Sequence, residues 1–292
     1  STGTRIGTTR ILSWLGEGST GQSYQCESTE GDLKGNLLYV KLIHREISER
    51  NGFEDYFHQE CQTLEQLDGP GIWPIKEFGV MKWKHWVGYD WLEGENLSAE
   101  PEEVSGPFIR SFGELMEFDP DSLTPELLLD FMISLHRGLY RIHQSGIAHG
   151  NLKPSNVLVR KISNGEGEAW VTETGLFRMS KFLAVGTEES SGNEVSSLNQ
   201  DGRDSREEAD RFRPANLDDP DLPDERWDIF ALGKIVRWAL SKIDAKTPRW
   251  EPWYSWAEQA QQVDAQLVFP SIAHSMQALP GVREISEYGI KA

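Results

Sequence analysis

Cysteine is scarce. The 292 residues hold only Cys26 and Cys61, too few for a disulfide framework or a zinc site, and a reducing, cytoplasmic setting is expected, for a free domain or a part of a longer protein. Positive charge is scarce as well, with 29 Lys and Arg against 47 Asp and Glu and a formal net charge of −18. That balance argues against a chain that works on nucleic acid or on an anionic membrane surface. No apolar run reaches bilayer length, and the opening STGTRIGTTR lacks the apolar stretch of a signal peptide, so direct membrane insertion is not expected. Internal repeats are missing too. What is present is a composition that can build a core, 38% hydrophobic and 10% aromatic. The length fits two ordinary domains or one bilobal unit.

The early part of the chain reads mostly as strands, Ile11 to Leu15 and Asn36 to Ile43 among them. One helix interrupts them from about Phe53 to Leu67, its stripe made of Phe53, Phe57, Leu64 and Leu67. Glu60 falls on that stripe, and a carboxylate on a buried face needs a cationic partner. After about residue 124 the pattern turns helical. Thr124 suits an N-cap and Pro125 the first helical position, and Leu128, Phe131, Leu135, Leu139 and Ile142 keep one face apolar up to Ser145-Gly146. A second helix, from about Arg226 to Ser241, is apolar nearly all round and holds Asp228 inside it. Between them Gly186 to Arg211 is rich in Ser, Gly, Glu and Asp. It reads as a long loop, either a solvated insertion or a segment for a partner or for phosphorylation.

Several short motifs occur in one order. Gly16-x-Gly18-x-x-Gly21 follows a strand, Lys41 lies on the next strand and Glu60 on the helix after it. Then come His149-Gly150-Asn151-Leu152-Lys153-Pro154-Ser155-Asn156, Glu173-Thr174-Gly175, and Asp228 with Gly233. The ordered set resembles the protein kinase superfamily, of the serine/threonine-kinase-like kind, over about residues 8–280. The resemblance implies an α+β, bilobal fold. A small β-rich N-lobe with one helix would cover residues 8–94, and a larger, mainly α-helical C-lobe residues 95–285, with the acidic loop inserted at about 186–211. It also implies a nucleotide cleft at Gly16, Gly18, Gly21, Tyr39, Lys41, Glu60, Tyr89 and Leu158, with Asn156 and Glu173 as ligands where Mg²⁺ is bound. From the residues alone, the three glycines could equally serve a hairpin turn with positive φ.

The departures from the family pattern carry chemistry. Asn151 stands where kinases have the Asp that accepts the substrate hydroxyl's proton, which an amide cannot do at neutral pH. Gly150 replaces an Arg that answers activation-loop phosphates. Glu173 replaces the metal-binding Asp with a longer carboxylate, and Thr174 a Phe that fills an apolar slot. Tyr39 replaces a small Ala over the adenine and, by strand alternation, points to the same side as Lys41. Ser23 replaces a Val of the glycine loop, Tyr89 falls at the gatekeeper, and Asn216 and Phe269 replace a buried Glu–Arg pair. His149 reads as a buried structural histidine, and Asp228 as the anchor of the catalytic-loop backbone. Trp250, Trp253 and Trp256 recur every three residues, as core packing or as an aromatic patch for a partner.

These departures predict a pseudokinase domain that is not an enzyme, with Gly150, Asn151, Glu173 and Thr174 as degenerate positions. No cofactor is expected, ATP binding is impaired, and the domain acts as a scaffold or allosteric regulator through protein partners. The alternative is a weak or atypical ATP-dependent serine/threonine kinase, or another phosphoryl or nucleotidyl transferase on the same fold. It would use ATP and Mg²⁺ with substrate-assisted proton transfer.

Overall fold

The computed structural model describes residues 3–18, 20–92, 108–162, 165–172, 211–214, 224–243, 247–262 and 269–291. These fall into two compact units. The first takes the described residues up to Asp68 and from Trp73 to Leu92; the second takes Gly69–Ile72 and the described residues from 108 onward.

The first unit is one antiparallel sheet with two helices. Its strands are β1 (Arg5–Ile6), β2 (Thr9–Glu17), β3 (Gly21–Ser28), β4 (Leu37–Ile43), β5 (Ile75–Met81) and β6 (Lys84–Asp90), in the order β1-β2-β3-β4-β6-β5. Ile6, Ile11, Cys26, Leu38, Val40, Leu42 and Trp86 form a core on the sheet. Helix α1 (Arg45–Ser48) leads into α2 (Phe53–Glu65), which begins after Gly52 and places Glu54 and Asp55 in its first turn, where the helix dipole favours them. The expected stripe is the buried one: Phe53, Phe57, Leu64 and Leu67 are all covered, and Glu60 and Cys61 with them. Phe57 meets Phe78 of β5 edge-on, and the imidazole of His85 lies between Phe53 and Phe57 at 4.8 and 4.9 Å. Aromatic packing therefore seats α2, and with it Glu60.

The second unit combines helices with a small sheet that hydrophobic periodicity did not reveal. Strands β7 (Phe108–Ser111), β8 (Val157–Lys161) and β9 (Gly167–Val171) pair antiparallel, and Ile72 bridges to Val171. Helix α3 (Phe112–Phe118) starts from a capping box in which Ser111 and Glu114 satisfy each other's backbone N–H groups. Helix α4 (Pro125–Gln144) has Thr124 as N-cap, its hydroxyl accepting from the Leu127 N–H at 3.2 Å, and it buries all five residues of the expected stripe. The central helix is α5 (Glu225–Lys242), followed by α6 (Glu251–Ala260) and α7 (Ile272–Gln277). Among the described residues, no helix is long and apolar enough to cross a membrane.

The tryptophan repeat is core. Trp250, Trp253 and Trp256 are 1, 1 and 3% exposed, which removes the aromatic docking patch as a reading. Trp256 donates its indole N–H to the Ser275 carbonyl and stacks on Phe269, so the residue that replaces a family arginine fills apolar space instead. Gly233 lets α5 approach α6: an added Cβ would lie 2.8 Å from the Ala260 Cβ and 2.9 Å from the Ala257 carbonyl oxygen. In Gly233→Ala the helix-propensity gain of ~1 kcal/mol competes with an overpacking loss of about 1–3 kcal/mol. A net fall in urea-unfolding stability is expected, whereas a gain would mean that the helices separate freely.

Candidate functional site

In the first unit the candidate residues other than Glu60, which lies on α2, fall on the neighbouring strands β2, β3, β4 and β6 and the β2–β3 turn. Gly18 N–H donates to the Gly21 carbonyl at 2.9 Å, closing the β2–β3 turn, and His44 ties the turn down through a 2.7 Å contact with the Gly18 carbonyl. None of the three glycines has the positive φ expected of a hairpin-turn residue. Gly21 is required for another reason, since a Cβ would come within 2.3 Å of the Leu42 carbonyl oxygen. Gly16 and Gly18 instead have open space where a Cβ would sit, which leaves their backbone approachable by a ligand. Lys41 and Glu60 are 6 and 8% exposed, and neither is without an interaction partner.

Tyr39 pairs in register with Gln25 on one side and Tyr89 on the other, while Lys41 pairs with Ser23 and Val87. The Tyr39 hydroxyl reaches diagonally to the Ser23 hydroxyl at 2.5 Å. Its ring lies 4.8 Å from Trp73 and 6.3 Å from Tyr89, and Trp73 stacks on Tyr89 at 4.8 Å. Trp73 was not among the residues the sequence pointed to. It lies between the Gly69-Pro70-Gly71 turn and β5, and nothing in its spacing announces the stack.

In the second unit the site is built on Asp228, 1% exposed on α5. One carboxylate oxygen accepts from the His149 N–H, the other from the Gly150 N–H, both at 2.8 Å. His149 donates from Nε2 to the Thr172 carbonyl at 2.7 Å, which leaves Nδ1 to accept from the Asn151 N–H at 3.2 Å. With both nitrogens engaged, this imidazole is a structural element and not a base. Gly150 sits at φ +72°, a conformation glycine adopts without strain. Asn156 donates its amide to the Asn151 carbonyl at 2.9 Å, leaving Oδ1 as its remaining acceptor. Lys153 is buried, and so is Leu158 on β8. Glu173 and Thr174 lie outside the described residues, as do Asn216 and the acidic stretch up to residue 210.

Two further residues complete this half. The Arg213 guanidinium donates to Asn151 Oδ1 at 3.4 Å. A guanidinium offers only donors, so the amide oxygen must face it, and the amide nitrogen of Asn151 is the group turned elsewhere. His143, at the end of α4, contacts Asp228 through Nε2 at 2.7 Å and Glu225 through Nδ1 at 3.6 Å. It stands beside the apolar stripe in sequence, and only the fold shows its partners.

Helical and sheet elements in this chain order define a class, the protein kinase-like fold. The Mycobacterium tuberculosis PknI kinase domain matches with TM-score 0.64 at 14% identity over 99% of both chains. PpkA-294 in its apo form matches with TM-score 0.63 at 15% identity, over 96% of this chain and 99% of that one. Residues 9–193 match the protein tyrosine and serine/threonine kinase family, and the chain belongs to it. Serine/threonine-protein kinase pkn2 of Myxococcus xanthus is 27% identical over 58% of this chain and 18% of its own length. Serine/threonine-protein kinase PknD of M. tuberculosis is 26% identical over 54% of this chain and 21% of its own. The chain thus spans about a fifth of the length of these curated relatives. Their names overturn one expectation, that of a chain that is not an enzyme: they are named as kinases, and a pseudokinase reading of Gly150, Asn151, Glu173 and Thr174 has no support from them. The expectation of no cofactor loses its support with it.

Burial alone would lower the His143 pKa, but the hydrogen bond to Asp228 and the charges of Asp228 and Glu225 outweigh it and raise it to about 9. Because the folded value lies above the ordinary 6.5, the stabilisation is fully present below pH 6.5 and is lost as pH rises through about 9. That shift corresponds to about 3 kcal/mol. His143→Gln should therefore lower the melting temperature clearly at pH 6 and much less at pH 10; an equal loss at both would mean that His143 is not charged in the fold.

Proposed function

We propose that the chain is an ATP- and Mg²⁺-dependent protein kinase domain that phosphorylates serine or threonine hydroxyls of a protein partner. The observation that carries this reading is the frame around residues 149–156. Asp228 holds the loop by its backbone, His149 fixes it to Thr172, and Asn156 is oriented with its amide nitrogen taken and its oxygen available. A hard cation requires oxygen ligands, so the donor set fits Mg²⁺ at Asn156 Oδ1, and the family resemblance adds Glu173 as the second ligand. The cation would neutralise phosphate charge as it develops. On the first unit, Lys41, opposite Ser23, which in turn pairs with Gly16, supplies a cation for the phosphates.

Asn151 then positions without acting as a base. With its oxygen held by Arg213, its amide N–H donates to the acceptor hydroxyl's oxygen and aims a lone pair at the γ-phosphorus. The new O–P bond forms as the bond to the β-phosphate oxygen breaks, and the hydroxyl proton passes to an oxygen of the transferred phosphoryl group. Because a positioned base supplies about 10²–10⁴-fold in rate, such an enzyme is slow.

Transfer of labelled γ-phosphate to a serine/threonine peptide library tests this. A slow signal is expected from the native chain, abolished in Lys41→Ala and raised about 10²-fold in Asn151→Asp, where a carboxylate returns beside Arg213. No transfer by either the native chain or Asn151→Asp, with ATP bound to both, would overturn the proposal.

A further inference from the structure

Tyr39 lies two residues, about 7 Å, from Lys41 on the same face of β4, where the kinase resemblance puts the base of a nucleotide whose phosphates meet Lys41. That place is already furnished. Tyr39 leans across to Ser23, the residue opposite Lys41, and is bonded to it at its tip. Along its ring it is backed by Trp73, which in turn stacks on Tyr89. Trp73 and Tyr89 are 8 and 6% exposed, so neither can receive a base until Tyr39 moves. The end of β6 offers little else: the Asp90 carbonyl accepts from the Trp73 indole N–H at 2.7 Å, and the Asp90 N–H donates to the Pro74 carbonyl at 3.2 Å.

We infer that Tyr39 is the specificity-determining residue of the nucleotide site: latched to Ser23 and packed on Trp73, it covers the base-binding end, so that the chain holds a nucleoside triphosphate by its phosphates and reads the base weakly. The inference rests on the nucleotide reading proposed above. The conformation that accepts a base is the one with Tyr39 swung away, and apparent affinity falls by the fraction of chains in that state. Removing the ring removes that factor for ligands with a base and leaves ligands without one unaffected.

Inorganic tripolyphosphate separates the two contributions, because it carries the phosphates and no base. Calorimetric titration of the whole chain with Mg²⁺ should find ATP, GTP and tripolyphosphate bound within about threefold of one another. In Tyr39→Ala, ATP should tighten about tenfold or more with tripolyphosphate unchanged. Tyr39→Phe and Ser23→Ala, which keep the packed ring and cut only the latch, should each tighten ATP by about twofold to fivefold. They carry the test should the alanine variant lose its fold. Native ATP binding tenfold or more above tripolyphosphate, unmoved by these substitutions, would overturn the inference while leaving the kinase reading intact. If neither ligand binds any folded variant, the nucleotide reading itself fails and the inference with it.

Discussion

The buried carboxylate of Asp228 is the interaction on which the second unit's functional loop depends. A charge in that position is costly unless every oxygen is engaged, and here two backbone N–H groups and an imidazole share it. Removing one partner of such a cluster leaves a desolvated charge, a loss of about 3–5 kcal/mol. Asp228 therefore constrains the conformation of residues 149 and 150, and through His149 the path to Thr172 and Asn151. Glu225 adds a further tie, its carboxylate held below the usual range first by the His143 imidazole 3.6 Å away while also accepting from the Ile272 N–H.

That anchor acts on main-chain groups, as the sequence reading of Asp228 expected, so the side-chain departures at Gly150 and Asn151 leave it in place. Replacing an Arg by Gly150 removes a charge but leaves the N–H that Asp228 holds, and at φ +72° the glycine relaxes the backbone. Replacing an Asp by Asn151 removes a base but leaves an oxygen that Arg213 can fix. The substitutions are real losses of chemistry. They are not losses of architecture, and the relatives this chain matches are named as kinases.

Much of the fold was legible because its signals are local. Thr124-Pro125 marks a helix start by capping chemistry, and the α2 stripe marks a buried face by period. The buried Glu60 and Asp228 were also legible, as charges on apolar faces. The small sheet of β7, β8 and β9 was not, since its strands are four or five residues long and so give period-2 alternation little room. Trp73, His143 and Arg213 escaped for a different reason. Each acquires its role from a partner distant in sequence, and a single sequence without paired variation holds no record of those distances. Of the two readings left open for the three glycines, the hairpin turn with positive φ does not hold, and what Gly21 supplies is close approach to the next strand.

Cys26 lies in the core of the first sheet and Cys61 on the buried face of α2. Burial pushes the Cys26 thiol up to about 11 and the Cys61 thiol higher still. Only the thiolate reacts with electrophiles, so at neutral pH the folded chain is nearly silent toward maleimides and iodoacetamides. A single cysteine introduced on the surface, for instance at the exposed Trp14 of β2, would give a labelling site free of background. In the same chain, slow modification of the native pair would report how often the core opens.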